Sequence, residues 1–463
     1  MVGMIGYMRP TEYIKNQLKL MLDPMGRDGF QRRLPLLFWS GYARIKRLTF
    51  NELSATDRSS VESPPAIQYN DCFFRNHLLD NLLPFWSSHA QDEKRGGYII
   101  HLDRQGKIYN PAVKHAAMQA RLIYAFSAAY SWQPSDHLFR MAQHGAFFLT
   151  QKFWDTKNGG WFQSVDRVGN VHVNVKRLFD QAYVIIGLSQ YYQMTQDVGV
   201  LNKIVQTFDI LDAHAWDKNQ FGYIEACGVD WSLHSAYKTI CVQLDMLRAT
   251  IALYQVTHEQ RYRQRSLQLA DMVVKRMCDP KYGCVLEKFH SDWRYSPVGT
   301  RDQVQIGHNL KGAWLMLRAN DLEPNPDYVL AATRMVDFCL HHGWDTVHGG
   351  FFQYVYRTGP VASPIKHWWP ECEGLNALIT LYKITGNECY WNYFQSLAEF
   401  VFNHFVDHQY GEWFTTCWPD GAPLDDNKGG DYKSAYHTVQ MCIEVANCIG
   451  TISKGKNGLY TSP

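Results

Sequence analysis

The stretch from Gly159 to Asn170, GGWFQSVDRVGN, decides how this chain folds. A glycine gives way to aromatic and β-branched residues, and Asp166 to Gly169 then supplies a turn, the pattern of a short β-hairpin. Gly160 permits backbone geometry that a Cβ would forbid. Upstream the same figure recurs as GGYIIHLDRQGK (96–107), and downstream as FGYIEACG (221–228), YGCVLEKF (282–289), GGFFQYVYRTGP (349–360) and YGEWFTTCWPDG (410–421). The marker glycines Gly97, Gly160, Gly222, Gly283, Gly350 and Gly411 are 63, 62, 61, 67 and 61 residues apart. Spacing this even identifies an internal repeat. Asp155, Asp217, Asp279, Asp345 and Asp407 stand just before five of the markers, where they start the connecting turn.

Each interval leaves room for two helices of ~15 to 20 residues joined by short loops. In the first interval HAAMQARLIYAFSAAY is apolar nearly all round and is expected to be deeply buried. DHLFRMAQHGAFFLTQKF follows, with Leu138, Met141, Ala142 and Phe148 on one stripe and Arg140 and Gln143 outside it. One helix before Gly97 (about 69–91), ten in the intervals and one after Gly411 (about 433–449) make twelve. Twelve helices in six pairs predict an all-α fold, an (α/α)6 toroid with short β-hairpins between the helix pairs. A chain of 463 residues would otherwise suggest about three domains of ~150 residues. The repeat replaces them with one barrel over 69–452, an N-terminal arm over 1–68 and a C-terminal tail over 453–463. The arm carries a basic excess (Arg9, Lys15, Lys19, Arg27, Arg32, Arg33) and ends in SSVESPP, a linker-like stretch that reads as a solvated or loosely docked segment.

Composition narrows the function. With 46 Lys+Arg against 44 Asp+Glu the net charge is +2, which points to neither nucleic acid nor a membrane surface. No run approaches the ~18 to 20 apolar residues of a membrane span, and the first residues lack the apolar core of a secretory signal, so a cytoplasmic protein is expected. The 11 cysteines include no CxxC pair, and Cys278 and Cys284 have no matching His or Cys cluster nearby, so neither metal nor other cofactor is expected. Aromatics are abundant, with 15 Trp, 27 Tyr and 24 Phe; most should pack helices, while a few could stack on a sugar ring.

A polar group on an apolar inner helix needs a reason, because burying one unpaired is costly. Each inner helix carries such a group at a similar distance from its marker: Arg121 (24 residues), Asp180 (20), Asp245 (23), His308 (25), Glu373 (23) and His437 (26). Shared offsets in a ring of like repeats place all six at one end of the toroid, around a pocket that also holds Trp368, Trp369, Tyr436 and Phe179. Two facing histidines can act as an acid and base near neutral pH, and Arg121 can hold a developing oxyanion. Taken singly, each residue also has a bland reading: a satisfied core histidine, an ion pair for Asp180, core fillers for the tryptophans. As helix neighbours, Trp368 and Trp369 cannot point the same way.

At these positions the chain resembles the N-acylglucosamine 2-epimerase superfamily, which includes aldose–ketose isomerases and cellobiose 2-epimerases. The matching segments are GGYIIHLDRQGKIY with QARLIYAFSAAY, GGWFQSVDRVGN with KRLFDQAY, IGHNLKGAWLML, KHWWPECEGL and DYKSAYHTVQMC. The resemblance implies that Arg121 binds substrate oxygens, that His308 and His437 are the acid and base, and that Trp368, Trp369 and Glu373 stack on and hydrogen-bond the sugar. It implies metal-free proton transfer through a cis-enediolate on a small sugar, with return of the proton at C2 giving epimerisation and at C1 isomerisation. A homodimer is a further implication.

The departures are specific. Lys311 stands where members commonly have a Glu, three residues after the GH histidine. HLHxLEA becomes QLDMLRA, with Gln243, Asp245 and Arg248; DHAF becomes DQAY, with Gln181; and YHxPR becomes YHTVQ, with Gln440. A lysine beside His308 is expected to depress that histidine's pKa, and Asp180, Asp245, Lys311 and Tyr436 are expected to line the substrate pocket. Two other readings stand beside the isomerase. One is an (α/α)6 glycoside hydrolase or lyase using paired carboxylates drawn from Asp180, Asp245, Glu371 and Glu373. The other is a catalytically altered carbohydrate-binding or specialised biosynthetic protein.

Overall fold

The computed structural model describes residues 69–233, 235–298 and 302–458; the N-terminal arm expected over 1–68 lies outside the described residues. Among the described residues there are twelve helices. Helix α1 is continuous through Asp71–His77, a π-turn at Leu78–Leu82, and Leu83–His89. Then come α2 (Ala116–Trp132), α3 (Asp136–Lys152), α4 (Leu178–Thr195), α5 (Val198–His214), α6 (Ile240–Thr257) and α7 (Gln260–Met272, with a π-turn at Val273–Met277). They are followed by α8 (Ile306–Leu322), α9 (Pro326–Phe338, with a π-turn at Cys339–Gly343), α10 (Trp368–Thr385), α11 (Glu388–His404) and α12 (Tyr436–Gly458). Helix α12 runs past the expected barrel boundary at 452. No helix among the described residues is long and apolar enough to cross a membrane.

Helices α2, α4, α6, α8, α10 and α12 pack side by side, and α12 returns to α2, so they close an inner ring. The odd-numbered helices pack outside it, α1 against α12 and each other one against the inner helix before it. Sequence explains the sorting: α2 is apolar on every face and buried over most of its length, whereas α3 buries one stripe that includes Leu138, Met141, Ala142 and Phe148. The ring is tight where it is built of small residues. A Cβ on Gly187 of α4 would lie 2.3 Å from the Ala120 carbonyl oxygen of α2, so the two helices approach as only glycine allows.

The glycine-marked segments form small antiparallel sheets at the end where the inner helices begin. The three residues ahead of α2, Val113–His115, pair with Ser164–Asp166, which pairs in turn with Val171–Val173. A strand leading into one inner helix is thus stitched to the hairpin of the next repeat. One detail differs from the sequence reading. The aromatic directly after the glycine makes an isolated bridge, Trp161 with Trp154, and the strand proper starts three residues later. The reason is a side-chain clamp: Gln181 Oε1 accepts the Trp161 N–H (3.0 Å) and its Nε2 donates to the Trp161 carbonyl (2.7 Å). Gln119 holds Tyr98 and Gln243 holds Tyr223 in the same way, while Asn309 and Glu371 accept the Val285 and Phe351 N–H groups.

The aspartates before the markers do more than start turns. Asp155 accepts backbone N–H groups of Lys157 and Asn158 on one oxygen and Lys176 Nζ on the other, at 2.9 Å. The equivalent buried pairs are Lys114–Asp92 (3.0 Å), Lys238–Asp217 (2.8 Å), Lys366–Asp345 (2.9 Å) and Lys428–Asp407 (3.0 Å). Asp92 extends the series to the first marker, and Asp279 is served by Arg357 at 3.3 Å. Lys114, Lys176, Lys238 and Lys366 each sit in the strand that leads into an inner helix, so those pairs fix where the helix starts, while Lys428 stands further ahead of α12.

Candidate active site

The inner helices all start at the hairpin mouth, and the six residues singled out by their offsets fall in the first two turns of their helices. The structure brings them together. Arg121 lies 4.0 Å from the ring centroid of Tyr183 and 5.4 Å from that of Tyr436. Tyr436 adjoins His437, whose Nδ1 hydrogen-bonds Glu373 Oε1 at 2.9 Å. Trp369 lies between the two histidines, with its ring 5.8 Å from His437 and 5.5 Å from His308. Cys241 lies beside His308 and hydrogen-bonds Asp245 at 3.4 Å. Asp245 is ion-paired to Lys311, whose ammonium lies 5.9 Å from the Tyr183 ring and so returns to Arg121's neighbour. Asp180 stands on the Arg121 side, against the Ala117 backbone at the start of α2.

Trp369 owes its seat to Gly307. A Cβ there would lie 2.3 Å from the indole, so the ring rests directly on the backbone of α8. Trp368, its neighbour on α10, turns into the core at 4% exposure, beside Lys433. Tyr436 is 1% exposed and wedged among Tyr124, Tyr183 and Arg121. Of the aromatics expected to touch a sugar, Trp369 is thus the half-buried one, with Trp368 and Tyr436 packed behind it.

The two histidines carry opposite protonation states. Burial pulls the His437 imidazole down to about 4; the bond to Glu373 opposes this, while Arg121 and Lys311 add to it. Glu373 is held below the usual carboxylate range by the same contact. The pair is therefore a neutral imidazole against a carboxylate. For His308 burial works in the same direction, but Glu287 Oε2, 2.6 Å from Nδ1, together with Cys241, outweighs it and lifts the pKa to about 10. Glu287 is itself fixed by the Gln305 N–H at 2.9 Å.

One sequence expectation needs correction here. Lys311 does not depress His308: its ammonium turns to Asp245, and Glu287 sets the charge of the histidine. Gln181 and Gln243 clamp hairpin backbone and do not face the pocket. Glu371 likewise faces the Phe351 N–H, and burial pushes its pKa up to about 8. Sequence reasoning missed Glu287 and Cys241. Glu287 follows Gly283 by four residues, inside a marker treated as scaffold, and Cys241 carries no charge to flag it.

Arg121 donates through Nη1 to the Tyr432 carbonyl (2.7 Å), and its Nε has no protein acceptor among the described residues. Asp180 keeps one oxygen without a donor, and burial raises its pKa to about 6 against Arg177 and His115. The site therefore offers a fixed base, a fixed acid, an aromatic plate and an unspent guanidinium donor.

Residues 97–441 match the family model for N-acylglucosamine 2-epimerase (GlcNAc 2-epimerase). The chain belongs to this family. Among curated relatives, the D-mannose isomerase of Marinomonas mediterranea is 26% identical over 371 residues, covering 76% of this chain and 91% of that protein. The cellobiose 2-epimerase of Bacteroides fragilis is 25% identical over 80% of this chain and 97% of its own. A solved D-mannose isomerase superposes with a TM-score of 0.76 at 26% identity, over 83% of this chain and 100% of that one.

Proposed function

We propose that this member of the family is a sugar isomerase that moves a proton at C2 of an open-chain reducing sugar, with His437 as base and His308 as acid. The carrying observation is the pair of histidines, each locked through Nδ1 to a carboxylate, one neutral and one charged, on either side of Trp369. In the neutral His437 the Nδ1–H donates to Glu373 and leaves the Nε2 lone pair to take the C2 proton. The electron pair of the C2–H bond passes to the C1–C2 bond, and the carbonyl oxygen becomes the enediolate oxyanion. Arg121, with Nε unspent, is suited to hold that charge. Protonation by His308 on the opposite face of C2 inverts the centre; delivery to C1, with the O2 proton shifted to O1, gives the ketose.

Incubation in D2O with D-mannose, cellobiose, N-acetylglucosamine and a wider set of reducing sugars, followed by proton NMR, tests the reading. Solvent deuterium should enter at C2 of at least one sugar, and His437→Ala should remove the exchange by ~10²- to 10⁴-fold. Sugar binding in calorimetry with no exchange across the set would instead mark a protein that kept the pocket and lost the chemistry. The carboxylate alternative is disfavoured because three of its four members are engaged, Asp245 by Lys311, Glu373 by His437 and Glu371 by backbone, which leaves Asp180 without a free carboxylate to pair with.

A further inference from the structure

A cavity of ≈ 400 Å³ opens at the other mouth of the barrel, where the inner helices end. It shares no lining residue with the histidine pair. Its volume falls within the ~300 to 1,000 Å³ typical of small-molecule sites. Its rim carries neutral polar side chains, Ser131, Gln193, Gln255 and Asn447, all exposed. Its walls include Tyr124, Trp132 and Trp314, and Arg248 lies at its inner end.

One charged donor on this lining is largely unspent. The Arg248 side chain is buried at 8% exposure and donates to Tyr124 Oη at 3.3 Å; among the described residues no carboxylate is in ion-pair contact with it. A guanidinium has five N–H donors, so most of its capacity is open. A buried guanidinium is normally paired, and a lining that leaves it open is matched to an anionic guest. Arg248 stands midway along α6, so it is not capping terminal carbonyls. The one other cation of the lining, Arg318, is ion-paired to Glu444, which leaves the cavity one net positive charge.

We propose that this second mouth is a binding site for a small polyhydroxylated carboxylate, with its carboxylate on Arg248, its hydroxyl oxygens on the rim amides of Gln193, Gln255 and Asn447, and its carbon face against Tyr124 and Trp314. A monoanion balances the lining charge, and the planar guanidinium fork suits a carboxylate. The site is separate from the sugar-isomerising one and does not depend on that reading.

Calorimetric titration with D-gluconate tests it, using sorbitol as the uncharged probe of similar size. Gluconate should bind with a stoichiometry near one and sorbitol at least tenfold more weakly. Arg248→Met should weaken gluconate tenfold or more. Gln255→Leu, which removes a rim amide with little change of size, should weaken it several-fold, and Ala252→Trp should block it by filling the cavity. Trp369→Ala, at the opposite mouth, should leave gluconate affinity unchanged. Equal binding of sorbitol overturns the assignment of an anion. Absence of gluconate binding to the wild type, or binding lost in Trp369→Ala and kept in Ala252→Trp, overturns the site.

Discussion

His437 and His308 are the same side chain under different electrostatic control, and the difference can be measured. His437, lowered to about 4, is a competent base once the pH exceeds that value; His308, raised to about 10, is a competent acid until the pH passes that value. The kcat/KM profile should therefore show a broad plateau with limbs near these two pH values. Glu287→Gln removes the anion that holds the His308 proton, so the alkaline limb should move down towards the ordinary histidine value of ~6.5. A limb that stays in place would show that His308 is not the titrating acid. The resemblance puts a histidine at 245 and a glutamate at 311, where this chain has Asp245 and Lys311. In this chain the two are ion-paired with each other. Asp245→Asn should cost ~3 to 5 kcal/mol by stranding a buried ammonium. Asp245→His with Lys311→Glu should recover most of that in chemical denaturation, a coupling that independent sites would not show.

At the scale of elements, the inner helices were legible because their polar residues interrupt long apolar runs, and the hairpins because glycine and aromatic residues recur on a fixed period. Glu287 was not legible: it lies on a hairpin, and its closeness to His308 depends on the register between that hairpin and the next inner helix, a tertiary property. Trp368 and Trp369 could be told apart in principle but not assigned, since helical geometry says that they diverge and not which one faces the mouth. The buried Asp–Lys pairs were half visible, as aspartates without their partners. Four of them sit directly ahead of an inner helix and fix where it starts, so a single loss should be felt beyond its own repeat. Lys366→Met leaves Asp345 buried and uncompensated and should lower unfolding free energy by ~3 to 5 kcal/mol in urea titrations. A similar change at exposed Lys275, paired with Asp271 on the surface of α7, should cost no more than ~1 kcal/mol. If the two substitutions cost the same, the buried pairs do not anchor the helices.

For the molecule as a whole, closure of the ring by α12 on α2 places two differently furnished mouths on one axis. The histidines, Trp369 and Arg121 gather at the mouth where the inner helices start, and Arg248 and Trp314 line the cavity towards the other. The distribution of thiols follows the same geometry. All eleven cysteines are free; Cys72 and Cys389 are exposed, and most of the others are sealed in the core. Cys241 is partly exposed and stands at the candidate site, in contact with His308 and Asp245. The protein thus carries an intrinsic covalent handle on its own active centre. A small alkylating reagent should label Cys72 and Cys389 without effect on turnover, and a slower adduct on Cys241 should abolish it. Saturating sugar should shield that one position from the reagent, so peptide mapping of the alkylated protein would report occupancy of the site without any assay of the reaction.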